Sequence, residues 1–171
     1  MQVALAGEGP VDLAILRRLC AETGLVPGPV FWGETMTGKH GMTSRLSGWA
    51  AAASHGRPVV ALRDLDRDAP CAGGLRARLA PDPPPLMVLR IAVRMAEAWL
   101  LADREGLTAR FALRLGALPG DPDALDNPKA VLVAAAARSR REAVRKGLAP
   151  RPGSGRPVGP DYAVEMQTFV R

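Results

Sequence analysis

The chain has 171 residues, 47% hydrophobic and 23% charged, which predicts a single domain with ample material for a core and excludes disorder of the whole chain. No apolar run approaches the roughly 20 residues needed to cross a bilayer. The net charge of +6 is unevenly spread: residues 1–86 are nearly balanced, with nine Lys/Arg against eight Asp/Glu, whereas 87–171 hold fourteen against nine. Cys20 and Cys71 make neither a disulfide framework nor a CxxC metal knuckle, which suits a reducing, cytoplasmic setting. The N-terminus lacks a basic n-region and reads as a buried strand, not a signal peptide.

Val3–Ala6 is a short apolar run ended by Gly7-Glu8-Gly9-Pro10, a strand entering a tight loop. Val11, Ile15, Leu16 and Leu19 have helical spacing over Val11–Thr23, with Pro10 at the start and Gly24 at the stop. Val30-Phe31-Trp32 is a second strand, followed by a glycine-rich basic stretch and a helix from about Thr43 to Ser54. Pro58–Leu62 is the third strand and runs into Arg63-Asp64-Leu65-Asp66-Arg67-Asp68. A short helix at 72–80, a fourth strand at Leu86–Val93 and a helix at Ala96–Asp103 follow. This alternation predicts an α/β fold with a mostly parallel central sheet flanked by helices. From Arg104 onward the pattern is helical, with Asn127-Pro128-Lys129 capping a long helix to about Lys146, a Pro/Gly/Arg linker at 150–160 and a last helical pattern from Tyr162. The expected organisation is a core at 1–103 and a helical C-terminal extension at 104–171, together one compact domain.

Right-handed crossovers place all strand C-terminal ends along one sheet edge, where open α/β sheets bind ligands. Glu8 follows strand one, Asp64 and Asp66 follow strand three, and Asp12 lies one helical turn beyond Glu8. Four carboxylates on one edge repel each other unless a hard cation neutralises them, and oxygen-only ligands select Mg²⁺ or Mn²⁺ over zinc. Asp68 reads as a cap or a solvated loop acid neutralised by Arg63 and Arg67. The two histidines make no zinc site, and Trp32, Trp49 and Trp99 lie in apolar patterns that suit core.

Strand-Gly7-Glu8-Gly9 followed by helix, then strand-Asp64-x-Asp66, resembles the topoisomerase–primase (TOPRIM) domain. The Gly7-Glu8-Gly9-x-x-Asp12 form is most similar to the branch containing the overcoming-lysogenization-defect (OLD) nucleases. Glu97-Ala98-Trp99-Leu100-Leu101-Ala102-Asp103 and Asn127-Pro128-Lys129 resemble motifs of a bacterial group of TOPRIM-related proteins, some encoded beside ABC/SMC-type ATPases. The resemblance covers roughly residues 1–135, and related chains continue past a position like Arg171, so it implies that the last helices are missing here. It implies a TOPRIM-like fold and Mg²⁺-dependent phosphodiester chemistry on DNA or RNA, in bacterial defence against phage. Glu8, Asp64 and Asp66 would then be metal ligands, Glu8 a proton relay as well, Asp12 a ligand for a second ion and Lys129 a transition-state cation. Glu97 would be an accessory acid near the same sheet edge, and Asp103 the cap of the following helix.

Two other readings stand beside the nuclease. One is a non-catalytic, TOPRIM-shaped regulatory or nucleic-acid-binding subunit of an ABC/SMC-type ATPase. The other is a degenerate P-loop: Gly33-Glu34-Thr35-Met36-Thr37-Gly38-Lys39-His40 matches G-x-x-x-x-G-K but has His40 where Ser or Thr would hold Mg²⁺. Lys39, His40 and Arg45 otherwise suit a substrate phosphate. Seven basic residues and one acid, Glu142, lie between Arg138 and Arg156, and Arg138, Arg140, Arg141 and Arg145 suit a nucleic-acid backbone.

Overall fold

Four of the five residues of β1 (Gln2–Ala6) are buried, as a strand covered on both faces requires. The computed structural model describes all of residues 1–171. In it β1 is followed by α1 (Pro10–Glu22), β2 (Val26–Trp32), α2 (Lys39–Thr43), α3 (Leu46–Ser54), β3 (Val59–Asp64), α4 (Ala72–Leu79) and β4 (Met87–Ala92). The strands form one all-parallel sheet in the order β2-β1-β3-β4. With its helical C-terminal part, this is the α/β arrangement expected from the sequence and is consistent with a TOPRIM-like fold.

Chain direction across the sheet decides where a site can form. The β1–β2 connection runs one way, and the β2–β3 connection crosses back over β1. Strand order therefore reverses between β1 and β3, and the carboxyl ends of these two strands flank a crevice of the kind that binds ligands in open parallel sheets.

One sheet face is filled by Ala4, Ala6, Val59, Ala61, Met87 and Leu89, packed against Met42, Leu46, Trp49 and Ala53. α1 lies against β1, β2 and β3, and right-handed crossovers put it on the other face. Pro27 and Pro29 stand at alternate positions of the edge strand β2. Val26 N–H points inward, to Met1 O, so Pro27, next along the strand, removes an outward-facing donor and helps blunt that edge against pairing.

Residues Met1–Val93 form one compact unit and Arg94–Arg171 a second. The boundary thus falls ten residues before the expected one. α5 (Glu97–Ala102) belongs to the second unit because it packs against α7 (Pro128–Ala136) and α6 (Arg104–Phe111). As expected, Asp103 caps α6, accepting from Gly106 N–H at 2.9 Å, and Asn127 caps α7, accepting from Ala130 N–H at 2.9 Å.

The expected long helix to Lys146 is two helices, α7 and α8 (Glu142–Leu148). Ser139, 3% exposed, causes the break: its Oγ donates to Phe111 O at 2.6 Å and accepts from Arg141 N–H at 3.0 Å. A serine bonded this way offers the backbone an alternative to the helix ladder. α9 (Tyr162–Val170) closes this unit through a Phe111–Phe169 ring contact at 5.8 Å and an Arg110–Glu165 ion pair at 2.7 Å. No helix is long and apolar enough to cross a membrane.

Candidate active site

Two glycines let the chain bring Glu8 to the end of β1. A Cβ on Gly7 would lie 2.6 Å from Asp12 Cβ, and one on Gly33, where φ is +112°, would lie 2.8 Å from Gly7 O. Gly38 N–H donates to Glu8 O at 2.8 Å, which ties the 33–38 loop to the strand end. Asp12, expected as a ligand for a second ion, caps the start of α1 with one carboxylate oxygen. Its Oδ2 accepts from Glu8 N–H at 2.7 Å and Gly9 N–H at 3.0 Å, satisfying donors at the start of α1.

β3 supplies the opposite wall. Ala6 pairs with Ala61, so β3 continues three residues past the end of β1 and carries Arg63 and Asp64 beside Glu8. Glu8 Oε1 accepts from Arg63 Nη1 and from Asp64 N–H, each at 3.0 Å. Arg63 is 4% exposed; its Nη1 also donates to Asp64 O at 2.5 Å and its Nη2 to Asp68. Beyond β3, Asp66 adopts a φ of +47°, a left-handed conformation uncommon outside glycine. The turn brings Asp68 back to Arg63 and to Lys39, whose Nζ lies 2.8 Å from Asp66 Oδ2 and 3.1 Å from Asp68 Oδ1.

Three loops therefore converge: Gly7–Gly9 after β1, 33–39 after β2 and 64–68 after β3. Glu8, Asp66 and Asp68 share two cations, Arg63 and Lys39. Asp68 is thus paired with Arg63, as the sequence suggested, but with Lys39 in place of Arg67 as its second cation. The readable sign was Arg63 itself, a charge inside an apolar strand that needs buried partners. Arg63 Nε is buried without a hydrogen-bond partner.

Electrostatics separates the acids. Burial pushes the Glu8 carboxyl above its ordinary value, and the charge of Asp66 adds to the push, against the Arg63 guanidinium and the Asp64 N–H. Hydrogen bonds from Arg63 and then Lys39 hold Asp68 below the ordinary range, while the bond to Asp66 raises Lys39. A carboxyl with raised affinity for a proton beside one with lowered affinity is the pattern that divides base from electrostatic roles. Carboxylate oxygen is the donor type a hard divalent cation takes, but the structure holds no group of three or more acids drawn together to hold one, and Arg63 and Lys39 pair with the acids of the cluster. Both bonds to Glu8 fall on Oε1, so Oε2 is the oxygen it offers a ligand.

Glu97 and Lys129 meet each other in a second cluster, inside the second unit. Glu97, 4% exposed, accepts from Tyr162 Oη at 3.1 Å and lies 3.4 Å from Lys129 Nζ. Tyr162 was missed from sequence because it is 65 residues away in the chain.

Among the phosphate candidates, Arg45 sits 4.5 Å over the Trp32 ring, and His40 is exposed. In the 33–40 loop, Gly33 N–H donates to Met36 O and Gly38 N–H to Glu8 O, each at 2.8 Å. Two amides of the P-loop-like stretch are therefore spent within the protein, and its lysine turns to Asp66 and Asp68.

Arg138, Arg140 and Arg141 are exposed. Arg141 and Arg145 bond backbone carbonyls, Arg110 O at 3.0 Å and Ser139 O at 2.7 Å, which orders them without cancelling their charge. Comparison with protein-family models, curated proteins and solved structures finds no match to this chain.

Proposed function

We propose that the protein is a divalent-metal-dependent nuclease, cutting phosphodiester bonds of DNA or RNA at the β1/β3 crevice. The observation that carries this reading is the placement of Glu8, with its raised proton affinity, against the acids of the 64–68 turn where strand order reverses. Glu8, Asp64 and Asp66 would hold Mg²⁺ or Mn²⁺. Such an ion, when bound, polarises the phosphoryl oxygen and lowers the pKa of bound water.

The protein's own groups have separable tasks. Glu8 takes and returns a proton at its free oxygen. Arg63 fixes the Glu8 carboxylate by holding Oε1. The ordered arginines of 138–145 follow the phosphate backbone.

The test is cleavage of plasmid DNA and of RNA by the purified protein in Mg²⁺ or Mn²⁺ against EDTA, with thermal shifts recorded in parallel. The metal should stabilise the wild type, by about 2.7 kcal/mol at a hundredfold excess over Kd. Asp64→Ala and Asp66→Ala should lose both stabilisation and cleavage; an unchanged response in both contradicts the site.

A second reading has its own support. Arg63 and Lys39 already pair with Glu8, Asp66 and Asp68, so two of the three acid charges are offset without a metal. That favours a nucleic-acid-binding or regulatory subunit, which binds nucleic acid without cutting it, alone or with an ABC/SMC-type ATPase.

A further inference from the structure

We propose that Lys39 is an exchangeable internal cation: it occupies the carboxylate crevice in the metal-free protein, and a divalent ion displaces it into the path of the substrate's phosphates. This inference rests on the metal reading above and adds to it an order of events.

The two cations of the crevice are held very differently. Arg63 is 4% exposed, stands near the C-terminal end of β3 and is bonded to Glu8, Asp64 O and Asp68. It is a fixed counter-ion. Lys39 is the first residue of the five-residue α2, follows Gly38 with φ +92°, and has a side chain 27% exposed. No side chain caps α2. Lys39 reaches the acids only through a flexible stem, as a point charge with rotatable donors.

Its partners are the acids a metal would need. Nζ bonds Asp66 Oδ2 at 2.8 Å, and Asp68 Oδ1 and Oδ2 at 3.1 and 3.2 Å. An ion ligated by Asp66 and an ammonium on the same carboxylate repel one another, so the two compete for it. Arg63 still pairs with Asp68 when Lys39 leaves, so that acid keeps one cation partner. The released ammonium is tethered at the crevice mouth, beside the loop that Gly38 N–H fastens to Glu8 O. A phosphodiester is the anion that would recognise it there.

Two measurements on the full chain test the exchange without any activity assay. The first is the Mn²⁺ dissociation constant by calorimetry. Lys39→Met should bind Mn²⁺ roughly three- to tenfold tighter than wild type, the scale of two part-exposed ion pairs, while Lys39→Arg, which keeps the charge, should stay close to wild type. The second is labelling of the chain's three lysines by an amine-directed reagent, read by mass spectrometry, with exposed Lys146 as the internal reference. Mn²⁺ should increase labelling of Lys39 relative to Lys146.

Mn²⁺ binding that is equal in wild type and Lys39→Met, with unchanged or reduced Lys39 labelling, overturns the exchange and leaves the metal site standing. Absence of Mn²⁺ binding in both proteins overturns the exchange and the metal reading together.

Discussion

Arg63 Nη1 donates to Glu8 Oε1 at 3.0 Å, joining the C-terminal end of β3 to the loop after β1. This bond crosses the point of strand-order reversal and holds the carboxylate of the candidate base. Because Arg63 is buried, deleting it leaves Glu8 and Asp68 short of a counter-charge in a partly dry crevice. Arg63→Met should lower the unfolding free energy by about 3 kcal/mol, the low end of the range for breaking a buried pair on one side. Urea denaturation checks this, and adding Glu8→Gln to Arg63→Met should recover part of the loss.

The acids predict opposite pH signatures. Glu8 has a folded-state pKa raised above 4.5, so its charged form opposes folding, and the stability it contributes is lost as pH rises through the raised value. Glu8→Gln should therefore melt at or above the wild-type temperature at neutral pH, with the difference vanishing as pH falls below 4.5. Asp68 is held below 3.8, so its contribution is present above that value and lost as pH falls through the lowered one. Asp68→Asn should destabilise at neutral pH by about 1–2 kcal/mol, with the gap closing in acid. Metal-free melting curves across pH check both, and the same sign for both variants contradicts the assignment.

Sequence pattern carried the strands well because the inner strands of a parallel sheet bury continuous apolar runs, as Val3–Ala6 and Pro58–Leu62 are, whereas β4 at the edge alternates, with Val88 and Arg90 exposed. It placed Glu8 with Asp64 and Asp66 because strand ends share one edge. It could not place Lys39 against Asp68, since their meeting depends on the left-handed turn at Asp66 and on a loop 29 residues away. Propensity also ran a helix through Ser139, whose hydroxyl instead finds Phe111 O across 28 residues. The misses are tertiary contacts overriding local preference.

The basic segment should supply nonspecific nucleic-acid affinity. Log K should fall linearly with log salt, with a slope near −0.9 per phosphate neutralised on duplex DNA. Replacing Arg140, Arg141 and Arg145 with Ala should weaken binding and flatten that slope, as fluorescence anisotropy across salt would record. An indistinguishable mutant would show that these arginines only solvate the surface.

Glu97 should matter to the second unit's stability. Tyr162 Oη donates to it at 3.1 Å from α9, so Tyr162→Phe leaves a buried carboxylate with one donor fewer. The expected cost is about 1.5–3 kcal/mol, the worth of a hydrogen bond to a charged group. Hydrogen exchange should show the loss first in α9, and unchanged protection there contradicts the role.

The most direct test of the central claim is the Mn²⁺-dependent cleavage rate of plasmid DNA or RNA by Glu8→Gln against wild type. The amide keeps the shape of Glu8 and one acceptor oxygen but takes no proton, so the rate should fall by at least about 10²-fold. Wild-type protein that cuts neither substrate in Mn²⁺, or Glu8→Gln that cuts as fast as wild type, would contradict the account.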